Sequence, residues 1–232
     1  MKSKSEKYKQ IQAWRKRNKT KCVEYCRKYF EKNKEAIRQR RNQLNAIIKL
    51  QVIDKYGGQC ATCTCSIPTV LSVDHIYNNG AESRRNGEQV GSNLYRILLK
   101  KNKRTDLQIL CANCQWRKHV WGKFDGRWPT KEEVESFLLS NLKSTHPSYW
   151  KQYNLRIKND LMTMYGGLCK RCQCDDILAL TIDHVNSDGS KDRKNMLGQN
   201  FYRHLLKSLI REDLQILCFN CQIEKERNKN YA

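Results

Sequence analysis

Hydrophobic and polar positions follow two different periods along this chain, and the period changes at paired glycines. Residues 6–55 contain no Gly or Pro and predict a helix, interrupted at some point, that stops at Gly57-Gly58. A similar helix is predicted over 148–164, before Gly166-Gly167. The first helix carries one approximate apolar stripe, formed by Ile11, Trp14, Tyr25, Tyr29 and Ile37.

Each helix is followed by a short alternating segment that predicts a strand. Leu71-Ser72-Val73 and Leu180-Thr181-Ile182 alternate in polarity and run directly into Asp-His. A polar, Gly-containing loop, a short helix, a second strand and a final helix are then predicted in both halves. The predicted loops cover 77–92 and 186–199, the short helices Tyr95–Lys101 and Tyr202–Ile210, and the second strands Leu107–Leu110 and Leu214–Leu217. Between the halves, Thr130-x-x-Glu133 predicts a capped helix that extends to about Leu142.

The two halves are copies of one pattern. Asp74-His75 recurs as Asp183-His184 after 109 residues, and the segment 106–111 recurs as 213–218 after 107 residues. We therefore predict an α+β protein with two modules in tandem. The expected parts are a basic helical arm (1–45), a first module (46–122), a connecting helix and linker (123–150) and a second module (151–232).

Cysteine spacing predicts a metal in each module. Ten of the 12 cysteines form two clusters, each a CxxCxC followed about fifty residues later by CxxC. Two CxxC pairs supply four thiolates, the tetrahedral set that Zn²⁺ takes in closed structural sites. The expected ligands are Cys60, Cys63, Cys111 and Cys114, and then Cys169, Cys172, Cys218 and Cys221. Replacement of one ligand by Cys65 or Cys174 stays open, and Cys22 and Cys26 are expected to face a packing surface.

Charge points to a polyanionic partner. The 232 residues carry a net charge of +22, and residues 1–43 alone hold 16 Lys and Arg against 4 Glu. Nucleic acid is the expected partner. The candidate phosphate contacts are Arg15, Arg17, Arg40 and Arg41 in the arm and Arg84, Arg85, Arg193 and Lys194 in the loops. Alternatively, the arm packs its apolar stripe on a module while its other faces are solvated.

The apolar content argues against a membrane. No run of 18 apolar residues is present, and the basic start MKSKSEKYKQ has no apolar stretch after it. An intracellular protein without a membrane span is therefore expected.

The combined order of CxxC, strand, Asp-His, loop, strand, CxxC and helix resembles the zinc-containing HNH endonucleases, the ββα-metal nucleases. The resemblance covers about residues 47–121 and 156–228. It implies tandem zinc-stapled ββα-metal modules that hydrolyse phosphodiesters, with DNA favoured over RNA. By this resemblance His75 and His184 would be general bases, and Asp74 and Asp183 would bind one catalytic divalent cation, Mg²⁺ or another, in each module.

The chain departs from the family pattern at the final helix. Gln115 and Gln222 follow the last zinc cysteine, where HNH nucleases commonly have His, and His119 and Glu226 lie one helical turn further on. The candidate catalytic metal sets are therefore Asp74, Gln115 and His119 in the first module and Asp183, Gln222 and Glu226 in the second.

Several functions remain compatible with these motifs. A single chain with two active sites would act as a covalent pseudo-dimer, each site addressing one strand. The alternative is a zinc protein that has lost catalysis and binds DNA or structured RNA, for example within a ribonucleoprotein. A third class, a zinc-dependent protein-interaction scaffold, leaves the charge and the Asp-His pairs without a role.

Overall fold

The computed structural model describes residues 3–121, 127–196 and 198–228. The chain divides into two compact units, Met1–Leu50 and Gln51–Ala232. The division falls inside one long helix, so the backbone is continuous through it.

The first unit is helical. Helix α1 (Lys4–Arg17) begins with a capping box in which Ser3 Oγ accepts from the Glu6 amide at 3.2 Å. Helix α2 (Lys19–Lys55) follows after one residue. The predicted helix over 6–55 is therefore formed but divided at Asn18, whose side-chain amide donates to the Trp14 carbonyl at 3.0 Å.

The apolar stripe of the first unit is open to solvent. Ile11, Trp14, Tyr25 and Tyr29 are each at least half exposed, and Ile37 is partly buried. The two helices of the first unit therefore leave most of the stripe uncovered.

The second unit contains both modules. The first comprises β1 (Leu71–His75), α3 (Gly80–Arg85), α4 (Gly91–Lys100), β2 (Leu107–Cys111) and α5 (Ala112–Trp121). Helix α6 (Lys131–Leu139) connects it to the second module, which comprises α7 (Tyr149–Met164), β3 (Leu180–His184), α8 (Ser190–Asn195), α9 (Gly198–Leu206), β4 (Leu214–Cys218) and α10 (Phe219–Asn228). The mixed α+β class predicted from the sequence is confirmed.

Each module has one two-stranded antiparallel sheet in the same register. In the first, Leu71 pairs with Cys111 and Asp74 with Gln108. In the second, Leu180 pairs with Cys218 and Asp183 with Gln215. The strands therefore bring a candidate metal-binding cysteine to one end of each sheet and the Asp-His pair to the other.

Some element boundaries differ from the sequence prediction. The predicted loops contain the short helices α3 and α8, helices α4 and α9 begin about one turn early, and α6 ends at Leu139 instead of Leu142. The first strands continue through Asp-His. The short helices were not predicted because polar helices of six residues carry little apolar periodicity. The extra length of the first strands comes from pairing with a distant strand, which leaves no signal in the local sequence.

The repeated tyrosines and glycines have the same structural roles in both copies. The Gly58 N–H donates to the Ile53 carbonyl at 2.9 Å where α2 ends. In the second copy the Gly167 N–H donates to the Met162 carbonyl at 2.8 Å where α7 ends. The Tyr56 hydroxyl accepts from the Arg104 amide at 3.0 Å, and Tyr165 accepts from Arg211 at 3.1 Å. Each module thus has its own small core, built on the sheet and the cysteines.

Candidate zinc and Asp-His sites

Four cysteine sulfurs converge in each module. Cys60, Cys63, Cys111 and Cys114 place their Sγ atoms within 4.8 Å of one another, and so do Cys169, Cys172, Cys218 and Cys221. The Cys63–Cys111 and Cys172–Cys218 separations are 3.5 and 3.6 Å. A disulfide needs about 2.05 Å, whereas tetrahedral Zn–S bonds of about 2.3 Å place sulfurs about 3.8 Å apart. The two tetrads therefore fit a metal ion, consistent with two structural zinc sites.

The backbone prepares one ligand for metal binding. Burial raises the pKa of the Cys169 thiol, but backbone N–H groups of Cys172, Cys218 and Arg171 oppose it and bring the pKa down to about 7. Amide donors that stabilise a thiolate also favour its bond to a cation, because the ligand must bind deprotonated.

The extra cysteine of each CxxCxC lies outside its tetrad. Cys65 and Cys174 pack against the cores, and the Cys65 carbonyl accepts from the Cys60 amide at 2.9 Å. Burial raises the pKa of Cys174, which keeps it a thiol. Cys22 and Cys26 belong to neither tetrad, and Cys26 is exposed instead of facing a packing surface.

The Asp-His pair of each module opens onto a cleft. In the first module the cleft has a volume of about 550 Å³ and is lined by Asp74, His75, Arg84, Gln115 and His119. In the second it has about 200 Å³ and is lined by Asp183, His184, Gln222 and Glu226. Both candidate catalytic sets are thus gathered around single cavities, although their members come from a strand and a helix some forty residues apart.

A lysine binds the aspartate in both copies. Lys118 Nζ lies 2.6 Å from Asp74 Oδ2 and also donates to the His75 carbonyl, although its side chain is only 4% exposed. Gln108 donates to the same oxygen at 3.0 Å. In the second module Lys225 and Gln215 make the matching contacts with Asp183 and His184. The carboxylate is therefore neutralised and held through Oδ2.

A carboxylate faces each histidine. His75 Nε2 lies 2.8 Å from Glu88 Oε2 without the alignment of a hydrogen bond, while His184 Nε2 is hydrogen-bonded to Asp192 Oδ2 at 2.7 Å. His184 and then Arg211 hold the pKa of Asp192 below its usual range, although burial opposes them. Asp192 is therefore ionised at neutral pH and accepts a hydrogen bond from Nε2–H, and in the neutral imidazole this leaves the lone pair on Nδ1.

A glycine keeps the other imidazole nitrogen clear. A Cβ added to Gly80 would lie 2.9 Å from His75 Nδ1, and one added to Gly189 would lie 2.6 Å from His184 Nδ1. Gly189 has φ of −55°, an ordinary value for any residue. These two glycines are therefore needed for space at Nδ1 and not for backbone freedom.

The arginines that orient these carboxylates also recur. Arg104 contacts Glu88 and Asp106, and Arg211 contacts Asp192 and Asp213. Arg104 and Arg211 hold the pKa values of Asp106 and Asp213 below the usual range. Asp106 and Asp213 thus position arginines behind the histidines.

The remaining metal candidates differ between the modules. The Gln115 amide donates to Ser72 Oγ at 2.9 Å, and the His119 ring lies 5.1 Å from that of Trp116. Gln222 Oε1 is buried without a hydrogen-bond partner in the described part of the chain. Glu226 is exposed at the rim of its cleft. Outside the cysteine tetrads, no group of three or more His, Cys, Asp or Glu residues is gathered for a metal among the described residues.

The candidate phosphate contacts are solvent-accessible. Of the loop residues, Arg84 lines the first cleft, while Arg85 and Lys194 are exposed; the side chain of Arg193 lies outside the described part of the structure. In the arm, Arg15, Arg17, Arg40 and Arg41 are all exposed.

Sequence reasoning missed the residues that support the Asp-His pair. Lys118 and Lys225, Gln108 and Gln215, and Arg104 and Arg211 all recur at the spacing of 107, and that recurrence was the available signal. Glu88 and Asp192 differ in identity and spacing, so only the fold reveals their equivalence.

No helix in the described part of the chain is long and apolar enough to cross a membrane. Comparison of the chain with protein-family models, curated proteins and solved structures gives no match. Function therefore has to be argued from the chemistry of the two clefts.

Proposed function

We propose that this chain is a metal-dependent endonuclease of the HNH type that hydrolyses phosphodiester bonds in DNA. The observation that carries the proposal is the environment of the two histidines. Each has one nitrogen against a carboxylate and the other beside a glycine that admits no side chain, and each borders a cleft next to an aspartate.

This environment suits a general base. Glu88 or Asp192 favours the tautomer protonated at Nε2 and stabilises the imidazolium that forms when Nδ1 takes a proton. Water in the cleft beside Nδ1 would be the nucleophile. Arg84, which lines the first cleft, would hold the phosphate in place for attack.

The second cleft fits a divalent cation better than the first. Among the described residues Gln222 Oε1 is a buried oxygen without a hydrogen-bond partner, and Asp183 uses Oδ2 for Lys225 and Gln215, so its Oδ1 and the Gln222 oxygen would be the ligands. A bound cation would offset charge on the scissile phosphate and the leaving oxygen. In the first cleft Asp74, Gln115 and His119 would hold it, since Gln115 uses its amide nitrogen for Ser72 and its oxygen would be the ligand.

A zinc protein that binds nucleic acid without cutting it is the second candidate. One observation favours it: Lys118 and Lys225 place ammonium groups directly on Asp74 and Asp183. A cation at either aspartate must share the carboxylate with that lysine, which lowers its affinity.

Nicking of supercoiled plasmid separates the two candidates. Zinc-loaded protein is incubated with and without added Mg²⁺, beside His75→Ala, His184→Ala and the double variant. We expect Mg²⁺-dependent nicking that the double variant abolishes, with the single variants limited to nicked circles if each site cuts one strand. His204→Ala, on the exposed face of α9, is the matched control and retains activity. Unchanged cleavage by the double variant refutes the general-base assignment, and binding without cleavage by the unaltered chain supports the second candidate.

A further inference from the structure

An aromatic cluster lies at the start of α7, outside every hydrophobic core cluster of the described part of the chain. The Tyr149 and Tyr153 rings are nearly parallel at 6.3 Å, and Trp150 meets them edge-on at 5.2 and 5.8 Å. Trp150 is 62% exposed. The three rings thus support one another while the largest of them presents its surface to solvent.

Helix α9 connects this cluster to the second cleft. The Arg203 guanidinium lies 5.3 Å from the centre of the Tyr153 ring. The two residues before it, Phe201 and Tyr202, line the cleft, and the Phe201 ring stacks on His184 at 6.0 Å. Phe201 and Arg203 thus join the two places through one helix, and a strand that has a phosphate beside His184 and continues across α9 would bring nucleotides further along to the cluster.

The cluster belongs to the second module alone. At the repeat spacing of 109, Tyr149, Trp150 and Tyr153 align with Arg40, Arg41 and Leu44. One copy thus has guanidinium groups, which contact phosphates, at positions where the other has rings, which contact bases.

We propose that Tyr149, Trp150 and Tyr153 form a stacking platform for unpaired nucleobases of a DNA strand that enters the second cleft. The inference rests on the proposed function, because it assumes that DNA is the substrate. Charge favours DNA over an apolar protein partner: the chain has a net charge of +22, and Arg203 lies directly behind the rings. Single-stranded DNA is recognised by the same combination of aromatic rings and positive charge.

Binding is measured on full-length, zinc-loaded protein that carries His75→Ala and His184→Ala, so that no strand is cut. Fluorescence anisotropy compares a single-stranded oligonucleotide with the matching blunt duplex. We expect Trp150→Ala to weaken binding of the single strand by about 5- to 150-fold and to change duplex binding less than twofold. Trp150→Phe should keep most of the affinity. Leu209→Ala removes another exposed apolar side chain, 90% accessible, and should change neither affinity.

Three results would overturn the platform. Equal loss for both DNA forms, or no loss with Trp150→Ala, shows that the ring does not stack on unpaired bases. Conversion of a dimer to a monomer by Trp150→Ala, measured by sedimentation, makes the cluster an interface between copies. The plasmid assay on the chain with both histidines intact tests the nuclease proposal separately, so a failed platform and a failed nuclease give different results.

Discussion

Asn113 and Asn220 exchange hydrogen bonds between the two modules. The backbone N–H of Asn113 donates to Asn220 Oδ1 at 2.9 Å, and the backbone N–H of Asn220 donates to Asn113 Oδ1 at 2.8 Å. Trp116 stacks on Phe219 at 4.8 Å beside them. Reciprocal contacts between equivalent residues are what a two-fold axis produces in a homodimer. The tandem copies therefore meet as a pseudo-dimer within one chain.

The asparagine exchange should stabilise the pseudo-dimer symmetrically. Each of Asn113→Ala and Asn220→Ala removes the side-chain oxygen that accepts from the backbone N–H of the other asparagine. Each variant should therefore lower the free energy of unfolding by about 1–3 kcal/mol, and the two losses should be similar. Urea denaturation of zinc-loaded protein measures this. Asn154→Ala, on α7 away from the exchange, is the control. Unequal losses, with one variant at the level of the control, would argue against the reciprocal contact.

Each cysteine tetrad should hold one zinc ion. Metal analysis of the purified chain should give two zinc ions per molecule, with one after Cys114→Ser or Cys221→Ser. Chelation should unfold the modules, because metal binding supplies on the order of 10 kcal/mol in comparable small domains with structural zinc.

Cys65→Ser and Cys174→Ser are the matched controls for the zinc ligands. Both side chains lie outside the tetrads, so both variants should retain two zinc ions. Loss of zinc from either would mean that the spare cysteine is a ligand.

The glycines beside the histidines should be required for cleavage but not for folding. Gly80→Ala and Gly189→Ala place a methyl group against Nδ1 of His75 and His184, respectively. Each variant should reduce nicking by its own site by about 10²-fold. Gly189 has an ordinary helical φ, so alanine there costs little backbone strain. Ser190→Ala, exposed and one residue further on, should retain activity. Full activity of both glycine variants would show that Nδ1 is not the base.

The arm arginines should contribute affinity without sequence specificity. Replacing Arg15, Arg17, Arg40 and Arg41 with Gln should lower the slope of log affinity against log salt concentration by up to about 3.6, because each phosphate contact releases counterions. Arg127→Gln is the control, since Arg127 is already paired with Glu133 at 2.6 Å. An unchanged slope would show that the arm does not touch DNA.

Lys158 should make stability depend on pH. Burial lowers its pKa to about 7, while Asp176 partly opposes the shift. Between this value and the usual pKa near 10.4 the unfolded chain binds more protons, so stability rises with pH by up to about 1.4 kcal/mol per unit. Lys158→Met should therefore be more stable than the unaltered chain at pH 7, and the difference should shrink toward pH 9.5. A constant difference over that range would show that Lys158 stays charged.

The lysine that binds each aspartate illustrates the limit of sequence reasoning. Lys118 and Lys225 have a signal in the sequence, their recurrence after 107 residues, but that recurrence does not show that their ammonium groups reach Asp74 and Asp183. That contact depends on how the last helix packs against the first strand. The same holds for Glu88, which follows α3, and Asp192, which lies in α8: both approach the histidines only because these polar segments, which have no apolar periodicity, fold back over them.

The sequence by itself determined the duplication, the eight cysteines that could hold metal ions and the Asp-His pairs. These features are visible in the residue types and in their spacing along the chain. Strand pairing and metal coordination require particular residue types at particular separations, so the pattern itself reveals them. Tertiary structure alone decided which groups surround each histidine, which aspartate oxygen is engaged and how the copies meet. Those relationships join residues 5 to 107 positions apart, and packing sets which side chains meet, because local propensity and hydrophobic periodicity specify the element a residue belongs to and not its tertiary partners.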